Sequence, residues 1–183
     1  MSGLREYLAE KNQALQARRE RIRTNGAEPV ALSASVKAEG RSGVRRIRIR
    51  DFQILSDSDT DFAGYNLGPS SPELQLGVLG SCLTHIFLIQ AAERSVWLDS
   101  LEVEVTGQLD PRANQPGFEH VPVYPHNIRY HVRIVSPASE TELKELHAAV
   151  ERSCPILNLL AQPQQIAGTV EHVSPEQAAE TAS

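Results

Sequence analysis

Apolar residues change their spacing several times along this chain, and each change marks an element. In residues 3–24, Leu4, Tyr7, Leu8 and Leu15 form a partial helical stripe that NGAEP (25–29) stops. Val30, Leu32, Ala34 and Val36 then alternate as in a strand, and EGRSG (39–43) predicts a tight turn into a hairpin. In VRRIRIRDFQIL (44–55), Ile47 and Ile49 share one face while Phe52 and Ile54 fall on the opposite parity. A continuous strand would need a bulge near Asp51 to restore register. Residues 56–73 are polar and rich in Gly and Pro, which predicts a loop.

SSPEL then signals a helix start. Ser71 serves as cap with Pro72 at the first helical position, or Ser70 caps one residue earlier with Glu73 closing a capping box. The helix is expected to run to about Val96. It is apolar on nearly every side, the pattern of a buried central helix. In 99–109, Leu101, Val103, Val105 and Leu109 point inward and Glu102 and Glu104 outward. In 127–135, Ile128, Tyr130, Val132 and Ile134 point inward and Arg129, His131 and Arg133 outward. Their opposed outward charges suit antiparallel neighbours. A proline-rich excursion (110–127) joins them. Residues 136–153 carry Leu143, Leu146 and Val150 at helical spacing, Pro155 opens another helix, 165–173 reads as a last strand, and 174–183 as a disordered tail. The expected organisation is an N-terminal helical arm (1–24), one α+β domain (25–173) with a mainly antiparallel sheet, and the tail.

With 183 residues and 40% apolar content, the chain is long enough for one domain with a real core. Its net charge of −5 conceals a split of +7 in residues 1–50 and −12 in the remainder. The basic part does not read as a nucleic-acid arm, because RIRIR fits one face of a strand and stacking aromatics are scarce. It reads as a solvated face or as a surface meeting the acidic part of the same or a second chain. The uncharged run Leu74–Ala92 is near membrane-spanning length, but Gln75, Ser81, Thr84, His85 and Gln90 interrupt it, so a core helix is expected rather than a span. MSGLREYLAEKNQ carries charges where a secretory signal needs an apolar centre, and the expectation is a cytoplasmic protein.

In a reducing compartment the two cysteines, Cys82 and Cys154, are expected to be free thiols or a cycling redox pair. Apolar surroundings raise the pKa of Cys82 unless a cation is near. Cys154, if it caps a helix, meets the positive end of a dipole that lowers its own. Two cysteines cannot build a four-cysteine zinc site, and Cys82 with His85 provides too few ligands for a metal.

SPELQLGVLGSC, followed about seventy residues later by RSCPI with strand pairs before and between, resembles the osmotically inducible protein C / organic hydroperoxide resistance (OsmC/Ohr) family over residues 28–173. The resemblance implies an intertwined homodimer with active sites at the subunit interface, reducing hydroperoxides through thiols. It makes Cys82 the peroxidatic and Cys154 the resolving cysteine, with a lipoyl-type dithiol as reductant and no metal or bound organic cofactor. It also assigns an arginine in a Gly-Arg turn, here Arg41, and a glutamate ahead of the first cysteine, here Glu73. A guanidinium beside the thiolate favours ionisation and polarises the leaving oxygen, and a carboxylate orients the guanidinium.

Nine residues put Glu73 and Cys82 about half a turn apart on a regular helix. Glu73 therefore approaches from a partner chain, a bend lies at Gly77 or Gly80, or Glu73 only starts the helix. His85, three residues beyond Cys82, would tune the thiol or steady a substrate, or serve as a core or interface histidine. Phe87 would line an apolar substrate pocket or pack the core. The rival reading is a ligand-binding or structural dimer of the same family without turnover.

Overall fold

The computed structural model describes residues 3–41 and 43–177. In chain order it has α1 (Gly3–Asn25), β1 (Ser35–Glu39), β2 (Val44–Ile49), β3 (Phe52–Ser56), a 3-10 turn (Thr60–Phe62), α2 (Ser71–Arg94), β4 (Ser100–Gln108), β5 (His126–Val135), α3 (Glu140–Ser153) and α4 (Pro155–Ala161). β1, β2 and β3 form one antiparallel sheet in that order, and β4 and β5 a second antiparallel pair. The α+β architecture with antiparallel sheets is as expected. Its sheet is divided into two.

The core gathers around α2. One side of this helix buries Leu79, Leu83, Ile86, Phe87, Ala91 and Ala92 against α1, β4, α3 and α4. Gly80 lets helix and strand approach closely, since a Cβ there would lie 3.2 Å from the Val105 side chain. By length and composition α2 is apolar enough to cross a membrane. The all-round burial expected of it holds on one side only: Gly77, Val78, Ser81 and His85 are exposed within the single chain.

β4 and β5 carry the alternation through to the structure. Val103, Val105, Tyr130 and Val132 face the core, while Glu102 pairs with Arg133 and Glu104 with His131 on the outer face. A register irregularity between Thr106 and Gln108 ends that alternation. Leu109, expected inward, lies exposed beyond the strand. α1 docks by Leu8, which is buried, by a bidentate Arg5–Asp99 pair at 2.6 and 2.8 Å, and by contacts from Asn12 to the Ala92 carbonyl and from Arg19 to Glu93. Its last turns are exposed.

Other expectations are corrected. The parity switch at Asp51 is a hairpin rather than a bulge: Arg50 adopts φ 54°, and Ile49 pairs with Phe52, which brings Ile47 and Ile54 into cross-strand register. The strand expected at 30–37 starts only at Ser35, leaving Val30 and Leu32 in exposed coil. The strand expected at 165–173 is coil that pairs with neither sheet, and Ile166 and Val170 are exposed. The expected tail (174–183) lies outside the described residues beyond Gln177.

The loop between β3 and α2 is organised by Asp57. Its buried carboxylate accepts from the backbone N–H groups of Ser58 (2.9 Å), Tyr65 (3.1 Å) and Leu67 (3.2 Å), and Gly64 passes so close to the Ser58 carbonyl that no Cβ would fit. The Ser58 bond above all, aided by those from Leu67 and Tyr65 and by Arg45, holds the Asp57 carboxyl below its ordinary range against the effect of burial. A depressed native pKa contributes stability that is full above the ordinary carboxylate range and is lost as pH falls through the native value. Asp57→Asn is therefore expected to speed amide hydrogen exchange over residues 58–67 at neutral pH. In the wild type the same acceleration is expected only on acidification.

Candidate active site

Cys82 lies mid-way along α2 and is half-buried; Cys154 is fully buried where α3 ends and α4 begins. The fold brings these sulfurs, 72 residues apart, to 3.5 Å, with the Cys154 thiol donating to the Cys82 sulfur. Local rules produce the junction. α3 starts with a Ser139–Glu142 capping box, and Pro155 cannot continue the helix hydrogen-bond ladder, so Cys154 takes an extended conformation (φ −74°, ψ 111°) and a new helix starts. Asn158 fastens the corner by donating to the carbonyls of Cys154 (2.8 Å) and Glu151 (3.0 Å).

Cys154 is the N-cap of α4, as expected, and the start of that helix also reaches Cys82. The Ile156 backbone N–H is directed at the Cys82 sulfur, where it favours the thiolate. Burial outweighs it and, together with Cys154, pushes the Cys82 thiol above its ordinary pKa. Among the described residues no cation of the same chain acts on Cys82.

The remaining expected site residues lie elsewhere. Ser70 is the N-cap of α2, and Glu73 closes the capping box: its Oε2 accepts from the Ser70 N–H and hydroxyl, each at 2.7 Å, which holds the Glu73 carboxyl below its usual range. Glu73 borders an open groove of about 410 Å³ between α2 and β4, lined also by Gly77, Ser81, Thr84 and Val105. Arg41 is exposed in the β1–β2 turn, on a sheet that packs hardly at all against the rest of the chain. His85 is exposed on α2. Phe87 is fully buried, stacked on the His147 ring at 6.0 Å, beneath a groove of about 450 Å³ between β5 and α3.

The sequence reading missed a polar cluster between β5 and α3. The Tyr130 hydroxyl lies 2.7 Å from His147 Nε2 and donates to Glu151 Oε1, also at 2.7 Å. Two signals were available: an inward-facing tyrosine needs a partner for its hydroxyl, and His147, Glu151 and Cys154 stand at i, i+4 and i+7 on one helical stripe.

The sequence profile of OsmC-like proteins matches residues 64–167, just over half of the chain and both cysteines. The chain belongs to the OsmC-like protein family. Its fold is shared with the OsmC-like protein from Mycoplasma pneumoniae (22% identity, TM-score 0.63, covering 73% of this chain and 89% of that one). It is also similar to the organic hydroperoxide resistance protein OsmC from Legionella pneumophila (14%, 0.53, 73% and 91%). A third such fold is an organic hydroperoxide resistance protein from Elizabethkingia anophelis (11%, 0.54, 72% and 90%). No curated protein matches the sequence. In this OsmC-like protein the matched segment holds α2 to α4 and the β4–β5 pair, which carry the thiol pair.

Proposed function

We propose that this OsmC-like protein is a thiol-dependent peroxidase that reduces organic hydroperoxides in a reducing, cytoplasmic setting. The observation that carries this reading is the approach of Cys82 and Cys154 to 3.5 Å as free thiols. Cys82 thiolate attacks a peroxide oxygen, the O–O bond breaks, and an alcohol leaves with a proton, so that Cys82 becomes a sulfenic acid. Cys154 then attacks that sulfur, expelling water and forming the Cys82–Cys154 disulfide. An external dithiol of lipoyl type takes up the oxidising equivalents and restores both thiols. The apolar surroundings of Cys82 favour organic over inorganic peroxides. The names of the hydroperoxide resistance relatives support the substrate class.

The thiol held up by burial needs a cation, and a second copy of the chain would bring it. The exposed row Val36 and Ile54 on the β1–β3 sheet and the open Val78–Ser81–His85 face of α2 have no cover among the described residues. Pairing them in a homodimer would carry the Arg41 turn to the partner's Cys82. Glu73 keeps Oε1 outside its capping box, so it has acceptor capacity for a guanidinium. His85 remains a proposed substrate contact, while Phe87 is fully buried and packs the core. Co-expressed Arg41→Ala and Cys82→Ser chains are expected to regain turnover that neither variant has alone, because one of the two sites in the mixed dimer is intact. Mixed dimers as inactive as the separate variants would mean that Arg41 acts only within its own chain, and an Arg41→Ala protein that turns over alone would place Arg41 outside the site.

The direct test of the function is multiple turnover of cumene hydroperoxide by the reduced full chain with dihydrolipoate as the dithiol. Saturable consumption is expected. Peroxide that persists while two thiols per chain stay free would favour the non-catalytic dimer, a reading supported by the absence of a same-chain cation at Cys82 among the described residues.

A further inference from the structure

Pro155 leaves a gap in the backbone hydrogen bonding beside the buried thiol. The carbonyl of Glu151 would ordinarily accept from the backbone N–H four residues on, and that residue is Pro155, which has none. The backbone ladder of α3 stops one bond earlier, with the Cys154 N–H donating to the Val150 carbonyl at 2.8 Å. A helix end of this kind takes its missing donor from a side chain or from water.

Asn158 supplies it. Its side-chain amide donates to the Glu151 carbonyl in the last turn of α3 at 3.0 Å and to the Cys154 carbonyl at the cap of α4 at 2.8 Å. Both partners only accept, so the amide nitrogen must face them and the amide has one orientation. The Cys154 carbonyl also receives the Asn158 backbone N–H at 3.1 Å. One side chain therefore spans the break and fixes the junction of the two helices at the residue that carries the thiol. Other restraints on α4 are modest: it is seven residues long, packs on the core through Ile156 and Leu157, exposes Leu159 and Leu160, and runs into coil after Ala161. Cys82, by contrast, sits in the middle of the long helix α2. The 3.5 Å between the sulfurs thus depends on where the corner at Cys154 is held.

We propose that Asn158 is the positioning residue of the thiol pair: by bridging Glu151 and Cys154 across the Pro155 break it holds the Cys154 sulfur ready to close onto Cys82. The inference deepens the peroxidase reading and rests on it for its physiological setting, but not for its test. In the step it serves, the Cys154 sulfur bonds to the Cys82 sulfur and the S–O bond of the sulfenic acid breaks. The hydroxide that leaves and the Cys154 proton together make one water. Asn158 takes no part in these bonds. It raises the effective concentration of one sulfur at the other, which speeds closure and favours the closed disulfide at equilibrium.

Dithiodipyridine reads closure without peroxide. Cys82 attacks it and releases one pyridinethione; Cys154 then displaces the second and closes the disulfide. In Asn158→Ala the first release is expected at the wild-type rate and the second about tenfold slower or more. The equilibrium of the disulfide with glutathione is expected to move about tenfold toward the open thiols, a shift of about 30 mV. Asn158→Ser is the milder variant. Its hydroxyl reaches the Cys154 carbonyl one turn back but not Glu151, so it is expected to close as slowly as Asn158→Ala while keeping the bond within α4. Leu160→Ala, on the exposed side of the same helix, is expected to match the wild type in both readings. Wild-type closure and exchange in Asn158→Ser would overturn the proposal, as would equal slowing in Leu160→Ala or a wild type that never makes the second release. Slow closure confined to the Asn158 variants, in a protein whose wild type leaves cumene hydroperoxide intact, would retain Asn158 in its role and remove the peroxidase reading.

Discussion

Cys82→Ser is expected to abolish consumption of organic hydroperoxide, while Cys154→Ser still consumes one equivalent and stops with a sulfenic acid on Cys82. The asymmetry follows from position. Cys82 is the half-buried thiol, so it is the sulfur that a substrate would reach, and although burial holds its pKa up, the Ile156 N–H is placed to favour its thiolate. Serine offers no comparable anion near neutral pH, and turnover should fall on the order of a thousandfold or more. Cys154 is fully buried behind it and is aimed at Cys82. Removing it leaves the first chemical step and takes away the second. The sulfenic acid is read as a dimedone adduct by intact mass, and peroxide loss by a ferrous-iron colour assay. A sulfenic acid trapped instead on Cys154 in the Cys82→Ser protein reverses the two roles.

The second large effect is on stability. Phe87→Ala is expected to cost about 3–5 kcal/mol, because a fully buried ring is deleted from the centre of the cluster around α2. The same change removes the surface on which His147 stacks. Against a typical total of about 5–15 kcal/mol, this is enough to leave much of the protein unfolded on warming. Urea unfolding followed by circular dichroism reads it as a lower midpoint at constant slope. Lys144→Ala makes the contrast. Its ion pair with Glu140 at 2.8 Å is solvent-exposed on both sides, and its loss should stay within about 0.5 kcal/mol.

The parts of this fold that could be read from sequence are those fixed by neighbours a few residues away. Ser70, Glu73 and Pro72 mark the start of α2, Ser139 and Glu142 that of α3, and Pro155 the break that puts Cys154 at a corner. The outward charges of 102–104 and 131–133 announced the β4–β5 pairing. What could not be read depends on contacts across space. A parity switch at Asp51 is compatible with a bulge and with a hairpin, and only the pairing of Ile49 with Phe52 decides it. The apolar alternation at 165–173 has strand character, but a strand exists only where an edge receives it. The apolar circumference of α2 likewise predicts cover on all sides, while one chain covers one side. At the site, spacing alone put Glu73 and Cys82 on opposite faces. The structure agrees by giving Glu73 a capping role and a different groove. The Ile156 N–H and the Tyr130 cluster escaped notice because each reaches its neighbour from another element of the chain.

The central claim is that two thiols distant in sequence join and part within one chain. The measurement closest to it is a non-reducing peptide map of the full chain after one equivalent of cumene hydroperoxide, repeated after dihydrolipoate. The account predicts one new linked pair, the peptide carrying Cys82 joined to that carrying Cys154 of the same chain, which disappears on adding the dithiol. Both cysteines recovered as free thiols with the peroxide intact, or linked only between chains, would contradict it.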